Sequence, residues 1–301
     1  MSHEQQKKSL RLGILGFGHL GQFIYQHIEN ERNKSNNDIE LVFIWNRSKE
    51  MFSKLDFNIQ QDLIVSTVEE GLQRAPDLVV EVAHPDLIET YAEKILDVSD
   101  LFIGSPTALA RAHVEKLLRT KTIQTGHVVY IGTGAFWGAD DISKMNERNT
   151  LRSLSITMKK HPDSYKLNEP LNSKLIDERR KLGDRPGEMI IYSGPVRELC
   201  QLAPNNVNTM AVGATIASHL GFDQVQGRLI ADASLDDRHI VEIELTGPET
   251  TVGENKQLGF HLKTIRTNPA QLGAVTGTAT LLSFVSSIKR AKGRTPGIHV
   301  V

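Results

Sequence analysis

Cysteine, excess charge and long apolar runs are all scarce in this sequence. Its 301 residues contain one cysteine, Cys200, which excludes an internal disulfide and favours a reducing compartment. The formal net charge of -1 gives no electrostatic basis for binding nucleic acid or an acidic membrane surface. No apolar run approaches the roughly 20 residues of a membrane span, and the opening residues are polar. These absences predict a cytoplasmic protein without nucleic-acid or membrane partners.

Sequence signatures of metal binding and of nucleophilic catalysis are also missing. No cluster of histidine and cysteine has zinc spacing. There is no G-x-S-x-G elbow and no Walker loop. His239 and Glu242 are three residues apart, but on a predicted strand their side chains point to opposite faces. We therefore expect no metal site.

What the sequence does contain is a glycine-rich turn, G-x-G-x-x-G, between an apolar strand and a helix. Gly16 permits a tight turn, Gly18 removes the side chain that would block phosphates, and Gly21 lets helix and strand pack closely. The helix N-terminus offers free N–H groups and a partial positive charge to an anion. A structural turn is the alternative, but this position favours a dinucleotide site. The predicted contacts are the residues of the turn: Gly16, Phe17, Gly18, His19, Leu20 and Gly21.

Apolar runs of strand length alternate with helical stretches through the first half of the chain, which predicts a Rossmann-type doubly wound parallel sheet of the α/β class. After residue 135 the pattern changes to partly antiparallel strands, typical of an α+β substrate domain. The helical tail is expected to return and pack on the first sheet. We predict a dinucleotide-binding domain of residues 1–134 plus 268–301 and a substrate domain of residues 135–267. The predicted strands are 11–15, 40–45, 77–83, 100–104, 127–131, 153–158, 188–192, 224–231 and 239–245, and the predicted helices are 22–28, 68–74, 85–96, 108–119, 208–220 and 273–292.

The end of the second predicted strand bears on the choice of nicotinamide cofactor. In a Rossmann unit a carboxylate there binds the ribose hydroxyls of NAD, whereas an arginine accommodates the 2′-phosphate of NADP. Here the strand ends in Asn46, Arg47 and Ser48, without a carboxylate. Because a guanidinium pairs bidentately with phosphate, NADP(H) is favoured, with NAD(H) as the alternative. The competing interpretation is that Arg47 stacks on adenine or faces solvent.

Residues after two further predicted strands are candidates for the rest of the cofactor site. Ala83 and His84 follow the third strand, at the edge where open α/β sheets bind ligands. His84 either lies near the nicotinamide or fixes the turn. Ser105 follows the fourth strand and either hydrogen-bonds the nicotinamide ribose or caps the next helix, which is the commoner use of such a residue.

Several segments, in order along nearly the whole chain, resemble the L-aspartate dehydrogenase family, and more closely its eukaryotic branch. This similarity is far more specific than the glycine motif alone. The sequence departs from bacterial members at His84, and from many of them at Thr133. The matching segments are 16–22, 41–47, 77–85, 104–110, 134–139, 203–211, 231–239, 268–269 and 296–299.

The resemblance implies oxidation of L-aspartate to iminoaspartate, which hydrolyses to oxaloacetate and ammonia, or the reverse amination. It also implies a split first domain completed by the C-terminal segment, and a homodimer. Within the family a histidine is catalytic, and it corresponds here to His239. The cofactor contacts map to Ala135 and Asn208, with Asn206 as the other candidate. From the residues alone, Asn208 is a natural N-cap of the helix it precedes.

The proposed chemistry needs a proton acceptor for the ammonium group and cations for two carboxylates. A histidine ordinarily titrates near neutral pH, which makes His239 the candidate base, and Asp232, Asp236 or Asp237 could orient its ring. The alternative is that His239 is a hydrogen-bonded surface histidine. For the carboxylates we consider Lys160 and His161, in a predicted loop over 158–163 where Lys159 is a solvated charge.

Two other functions remain open at this point. The cofactor could serve a different small dicarboxylate or an imine, or the protein could be a non-catalytic NADP(H)-binding sensor. A sensor needs no acid or base, so the presence of His239 beside the glycine motif argues against it without excluding it.

Overall fold

The computed structural model describes residues 9–32, 38–183, 187–254 and 256–301. Two β-sheets organise this part of the chain, one parallel and one mixed. The strands are β1 (Leu10–Leu15), β2 (Ile39–Trp45), β3 (Leu78–Glu81), β4 (Asp100–Ile103), β5 (Val128–Ile131), β6 (Ser153–Lys160), β7 (Glu188–Pro195), β8 (Gln226–Asp232), β9 (Arg238–Val252), β10 (Lys256–Pro269) and β11 (Gly297–Val300). The helices are α1 (His19–Arg32), α2 (Val68–Leu72), α3 (Pro85–Leu96), α4 (Ala112–Thr125), α5 (Ala139–Glu147), α6 (Leu171–Leu182), α7 (Val196–Leu202), α8 (Asn208–Ile216), α9 (Gly221–Gln224) and α10 (Thr278–Arg290).

The first sheet is parallel throughout and has the order β11-β5-β4-β3-β1-β2. Its strands are buried on both faces, and alternate residues belong to two different cores. Leu101 packs in one core with α3 and α4, whereas Phe102 packs in the other against Phe284 of α10. Because β1 pairs with β2 on one side and β3 on the other, the strand order reverses there. Ligands bind at such a switch point in open α/β sheets.

The second sheet is mixed and has the order β10-β9-β6-β8-β7. Strands β6 and β8 are parallel, and the other neighbouring pairs are antiparallel. On β6 buried and more exposed residues alternate, so one face packs on the core. Helix α8 lies against that face, where a Cβ on Gly213 would clash with Ile156. The described residues therefore form a doubly wound parallel sheet and a second, mixed-sheet domain, and the predicted fold class is confirmed.

The C-terminal segment differs in part from the prediction. The helical tail is shorter than expected, and the residues after it form β11, which pairs with β5 at the edge of the first sheet. In the second domain β10 reaches Pro269 and so crosses the predicted boundary at residue 267. The predicted helix at 108–119 is a 3-10 turn over Pro106–Ala110 followed by α4. The prediction also missed α5, α6, α7, α9 and β10.

Among the described residues, no helix is both long enough and apolar enough to cross a membrane. In the same residues, no group of three metal-ligating side chains is placed to hold an ion.

Candidate active site

One cavity lies between the two sheets, where loops of the first domain face strands of the second. The glycine-rich turn contributes Leu20, and the segments after β4 and β5 contribute Gly104 and Ala135. The second domain contributes Lys160 and His239. The cavity thus joins several sequence-predicted cofactor and catalytic residues. Its other lining residues include Pro106, Thr133, Gly134, Met158, Asn206, Asn208, Val241, Asn268, Val275, Thr276 and Gly277.

The three glycines of the turn have different surroundings. Gly16 has a φ of +103°, and a Cβ there would lie 2.5 Å from the Cβ of Ala83. A Cβ on Gly21 would lie 2.2 Å from the carbonyl oxygen of Gly16, so helix and turn are in direct contact. A Cβ on Gly18 would meet nothing within 4 Å. Only Gly18 therefore faces open space at the start of α1, and this space fits a phosphate group at a helix N-terminus.

The intervening residues of the turn divide between core and surface. The Phe17 ring is fully buried and packs on Tyr25 and Phe52, so only its backbone is near the turn surface. That backbone N–H donates to Asn46 Oδ1 at 3.0 Å. His19 is exposed at the first position of α1.

The end of β2 is tied to the turn by Asn46, whose Nδ2 also donates to the Ser48 carbonyl at 2.8 Å. Arg47 is exposed and makes no hydrogen bond or ion pair with any described residue. Ser48 differs from the prediction, since its hydroxyl already donates to Glu50 at 2.6 Å. The arginine is therefore free to bind a ligand phosphate, whereas a ligand would compete with Glu50 for the Ser48 hydroxyl proton.

A buried glutamate that the sequence analysis missed joins the ends of β3 and β4. Glu81 accepts the backbone N–H groups of Ala83 at 2.7 Å and His84 at 2.9 Å. It also accepts both the N–H and the hydroxyl of Ser105, each at 3.0 Å. Burial raises the pKa of Glu81 to about 7, and all four hydrogen bonds oppose that shift. Ser105 thus fixes a loop beside the cavity, and its hydroxyl does not cap the following turn.

His84 lies at the N-cap of α3, outside the cavity lining. Its Nδ1 accepts the N–H of Asp86 at 3.3 Å and lies 3.2 Å from the Asp86 carboxylate. In the structure His84 therefore fixes the turn at the start of α3, which is one of the two roles that its sequence position allowed. Ala83 is exposed and touches the glycine turn through Gly16.

Lys160 is the last residue of β6 and is only 2% exposed. Its Nζ donates to the Val275 carbonyl at 2.8 Å and lies over the Tyr165 ring. Burial lowers its pKa to about 7, and no described carboxylate lies within ion-pair distance. Lys160 is a buried amine for which the described residues provide no counter-ion, so an anionic ligand in the cavity would favour its charged form.

The neighbours of Lys160 differ from the prediction. Residues 158–160 belong to a strand and not to a loop, and Lys159 on the opposite face pairs with Glu188 and Glu242. His161 caps a short turn by accepting the N–H of Asp163 at 3.2 Å, and it does not line the cavity.

His239 is 5% exposed near the start of β9, and its Nε2 has no hydrogen-bond partner. Burial, and then the charge of Lys160, lower its pKa to about 4, while a hydrogen bond to the backbone of Ala274 opposes the shift. The prediction that an aspartate orients the His239 ring is wrong, since no contact of this kind is present among the described residues. Asp232 accepts from Ser234, and Asp237 pairs with Arg238. Its Nε2 is therefore available to accept a hydrogen bond or a proton from a ligand, although the lowered pKa makes the imidazole a weak base while the cavity is empty.

The two candidate asparagines before α8 have different environments. Asn206 hydrogen-bonds the backbone of Lys166 with both ends of its amide. Its Nδ2 donates to the Lys166 carbonyl at 2.5 Å, and its Oδ1 accepts the Lys166 N–H. Asn208 is the first residue of α8, so the N-cap is Val207 and not Asn208 as predicted. The Oδ1 of Asn208 is buried and unpartnered.

Among the described residues, three buried side-chain atoms lack a hydrogen-bond partner: Asn208 Oδ1, His239 Nε2 and Asn268 Oδ1. All three belong to residues that line the same cavity. Buried polar groups are nearly always paired in folded proteins, so this concentration marks a ligand site. The sequence analysis did not identify Asn268 as a site residue, and its only signal was the Asn-Pro pair at 268–269.

Two family models match successive parts of the chain. Residues 141–291 match the family model described as aspartate dehydrogenase, C-terminal. Residues 16–131 match the NAD-binding domain of homoserine dehydrogenase. The aspartate dehydrogenase domain-containing protein of Danio rerio is 43% identical over 95% of this chain and 96% of its own.

More distant relatives extend the comparison. An L-aspartate dehydrogenase of Archaeoglobus fulgidus is 29% identical over 76% of this chain and 79% of its own. The crystal structure of an aspartate dehydrogenase from Thermotoga maritima matches with a TM-score of 0.63 at 18% identity, covering 95% of this chain and 97% of that one. The structural match shows a shared fold.

Proposed function

The chain belongs to the aspartate dehydrogenase family, and we propose that it is an NAD(P)-dependent L-aspartate dehydrogenase with His239 as its acid/base. The family and the matching NAD-binding domain make it an aspartate dehydrogenase-like NAD(P)-binding oxidoreductase. The observation that supports the specific activity is the cavity that holds a base and an unpaired cation beside the glycine turn. The reaction converts L-aspartate to iminoaspartate, which water hydrolyses to oxaloacetate and ammonia, or runs in reverse.

The residues of the second domain provide the acid/base chemistry. A nicotinamide cofactor whose phosphates are held by the glycine turn would supply the acceptor for the hydride. Burial and the charge of Lys160 lower the pKa of His239 to about 4, so the imidazole is neutral but weakly basic before substrate binds. A substrate carboxylate paired with Lys160 offsets that charge and raises the basicity of His239, whose Nε2 then takes a proton from the substrate ammonium group. Lys160 pairs with a substrate carboxylate, which supplies the counter-ion that the described residues do not provide. The same imidazole, once protonated, returns the proton in the amination direction.

For the cofactor we propose NADP(H), with NAD(H) as the alternative. Support comes from the exposed, unpaired Arg47 at the end of β2, which suits a 2′-phosphate. Glu50 is bonded to the neighbouring Ser48 and carries a negative charge close by, which weakens this preference.

We also propose that the protein is a homodimer, which buries the apolar side chains that alternate along one face of β10: Leu258, Phe260 and Leu262.

The substrate and dimerisation domain would comprise residues 135–269, and the cofactor domain residues 1–134 plus 270–301. This division moves the predicted boundary to the end of β10.

The first test is oxidation of NADPH and of NADH with oxaloacetate and ammonium, comparing wild type with His239→Ala. We expect faster turnover with NADPH and a loss of about 100-fold or more in the variant, the usual effect of removing an acid/base group. NADPH affinity should change little. His113→Ala, a substitution of an exposed histidine on α4, is the matched control and should keep full activity.

The other outcomes distinguish the competing functions. Tight NADPH binding without turnover on oxaloacetate contradicts the aspartate activity. Turnover on a different keto acid would then indicate another dicarboxylate substrate. No turnover on any related keto acid would support a non-catalytic binding protein.

A further inference from the structure

Three buried polar side chains form one row across the second sheet. Asn268 on β10 is paired in register with His239 on β9. On the other side of β9, Lys159 is paired with Ile240, so Lys160 lies next to His239. Directly opposed side chains on antiparallel strands have Cβ atoms about 5 Å apart. A small ligand can therefore contact a cation, a base and an amide in that order.

The buried amide oxygen of Asn268 is not satisfied by any described residue. Its residue is 3% exposed, and its Oδ1 has no hydrogen-bond partner. Burying an amide oxygen without a donor destabilises a protein, so such a group is expected to meet its donor in a ligand. Because Asn268 and His239 line the same cavity, a ligand that reaches His239 can also supply the donor that Asn268 lacks.

We propose that Asn268 is a specificity-determining residue that binds the amino nitrogen of the substrate, an inference that rests on the proposed function. With a substrate carboxylate on Lys160, the carbon that bears the amino group lies next to the base. An ammonium group has three N–H donors, so it can donate to His239 Nε2 and to Asn268 Oδ1 together. Asn268 thereby holds the nitrogen while His239 removes a proton.

This arrangement selects amines over alcohols of the same skeleton. A substrate hydroxyl has a single hydrogen, and donating it to His239 leaves Asn268 unpaired. Sites built to pair with a polar substrate group discriminate strongly against an analogue that leaves their own buried groups unpaired. Asn268 therefore separates an amino dicarboxylate from the corresponding hydroxy dicarboxylate, whereas Lys160 treats both alike.

The test measures binding to the NADPH-loaded protein, which cannot oxidise these ligands. Titration calorimetry compares L-aspartate with L-malate, which carries a hydroxyl in place of the amino group, and with succinate, which has neither. For the wild type we expect L-aspartate to bind about 10- to 100-fold more tightly than L-malate, the effect of one hydrogen bond to a charged group. In Asn268→Leu we expect this preference to fall to a few-fold, with succinate binding unchanged.

The control measurements separate this role from a structural one. Leucine has nearly the shape of asparagine and removes an unpaired group, so thermal stability should be unchanged or higher. Should Asn268→Leu not fold, Asn268→Ala provides the same comparison. Thr267→Ala alters the exposed neighbour on the same strand and should keep the wild-type preference.

Each result decides between the claims. An undiminished preference in the variant overturns the role of Asn268 and leaves the proposed function intact. Equal loss of L-aspartate and succinate binding overturns it too, because the amide would then contact a carboxylate. A wild type that binds none of the three ligands overturns both the proposed function and this role.

Discussion

At the scale of single residues, the site combines side chains whose charge states are shifted away from their ordinary values. Lys160 and His239 are neighbours, and burial favours the neutral form of both. Their charges are therefore governed by what enters the cavity. An anionic ligand supplies a counter-charge that favours a protonated Lys160.

The first prediction is that dicarboxylate binding draws a proton onto Lys160. At pH 8 most Lys160 side chains are neutral because the pKa is lowered to about 7. Pairing with a carboxylate restores the charge, so succinate binding to the NADPH-loaded protein should take up about one proton. The measurement is the binding enthalpy in two buffers of different ionisation enthalpy.

Two variants make this result specific to one lysine. Lys160→Met should abolish the uptake and weaken binding. Lys159→Met alters the ion-paired lysine on the opposite face and should retain the uptake. Equal uptake in all three proteins would rule out Lys160 as the carboxylate ligand.

The same residue gives a pH dependence of stability. Folding lowers the Lys160 pKa from 10.5 to about 7, so between these values the unfolded chain binds more protons than the native one. This group therefore makes the free energy of unfolding rise with pH across that window. Urea denaturation at several pH values should show a smaller rise for Lys160→Met than for the wild type.

The sequence predicted some of these residues and not others, for identifiable reasons. His239 and Lys160 were predicted from residue type and from the resemblance, since histidine and lysine suit this chemistry. Glu81 and Asn268 were missed, because their significance depends on burial and on strand register. An asparagine on a strand has no distinctive spacing, and only the pairing with His239 identifies it.

At the scale of elements, the helices and strands that could be predicted from the sequence are those whose residues are largely buried. Strands β1 to β5 of the first sheet were predicted within a few residues, because burial on both faces produces continuous apolar runs. Strand β11 at the edge of that sheet was not predicted, and its four residues are only partly buried. Strand β10 was missed because nearly all of it is exposed, so its sequence contains no continuous apolar run like those of the first sheet. Helix α6 was missed because only Leu171 and Leu175 are buried along it.

The junction of β1 and α1 should separate cofactor binding from folding. A Cβ on Gly18 meets open space, so Gly18→Ala should leave the melting temperature nearly unchanged. We expect it to weaken NADPH binding about 10-fold or more, because the methyl group occupies the space expected for a phosphate. Equilibrium fluorescence titration of NADPH measures the change.

Gly21→Ala is the matched variant in the same turn. Its methyl group would lie 2.2 Å from the Gly16 carbonyl oxygen, so the backbone must shift. We expect a loss of roughly 1–3 kcal/mol in the free energy of unfolding. Should Gly18→Ala bind NADPH as tightly as the wild type, the phosphates do not lie at this turn.

At the scale of the whole molecule, the second sheet ends in a long open edge. Strand β10 has β9 on one side and no described strand on the other. Along one face of this edge, Leu258 is 46%, Phe260 51% and Leu262 39% exposed. Long apolar edges promote association unless another surface covers them, and a second copy of the chain is the partner implied by the proposed homodimer.

Charge placed on this edge should therefore dissociate the dimer. We expect the wild type to sediment as a dimer at micromolar concentration and Phe260→Lys to sediment as a monomer, because a lysine in an apolar interface loses its hydration without gaining a partner. Ile123→Lys replaces a residue that is 76% exposed on α4 and should remain dimeric. A monomeric wild type would refute the homodimer, whereas a dimeric Phe260→Lys would place the interface on another surface. Since Asn268 and the apolar residues share β10, turnover of the monomeric variant would show whether the site requires the dimer.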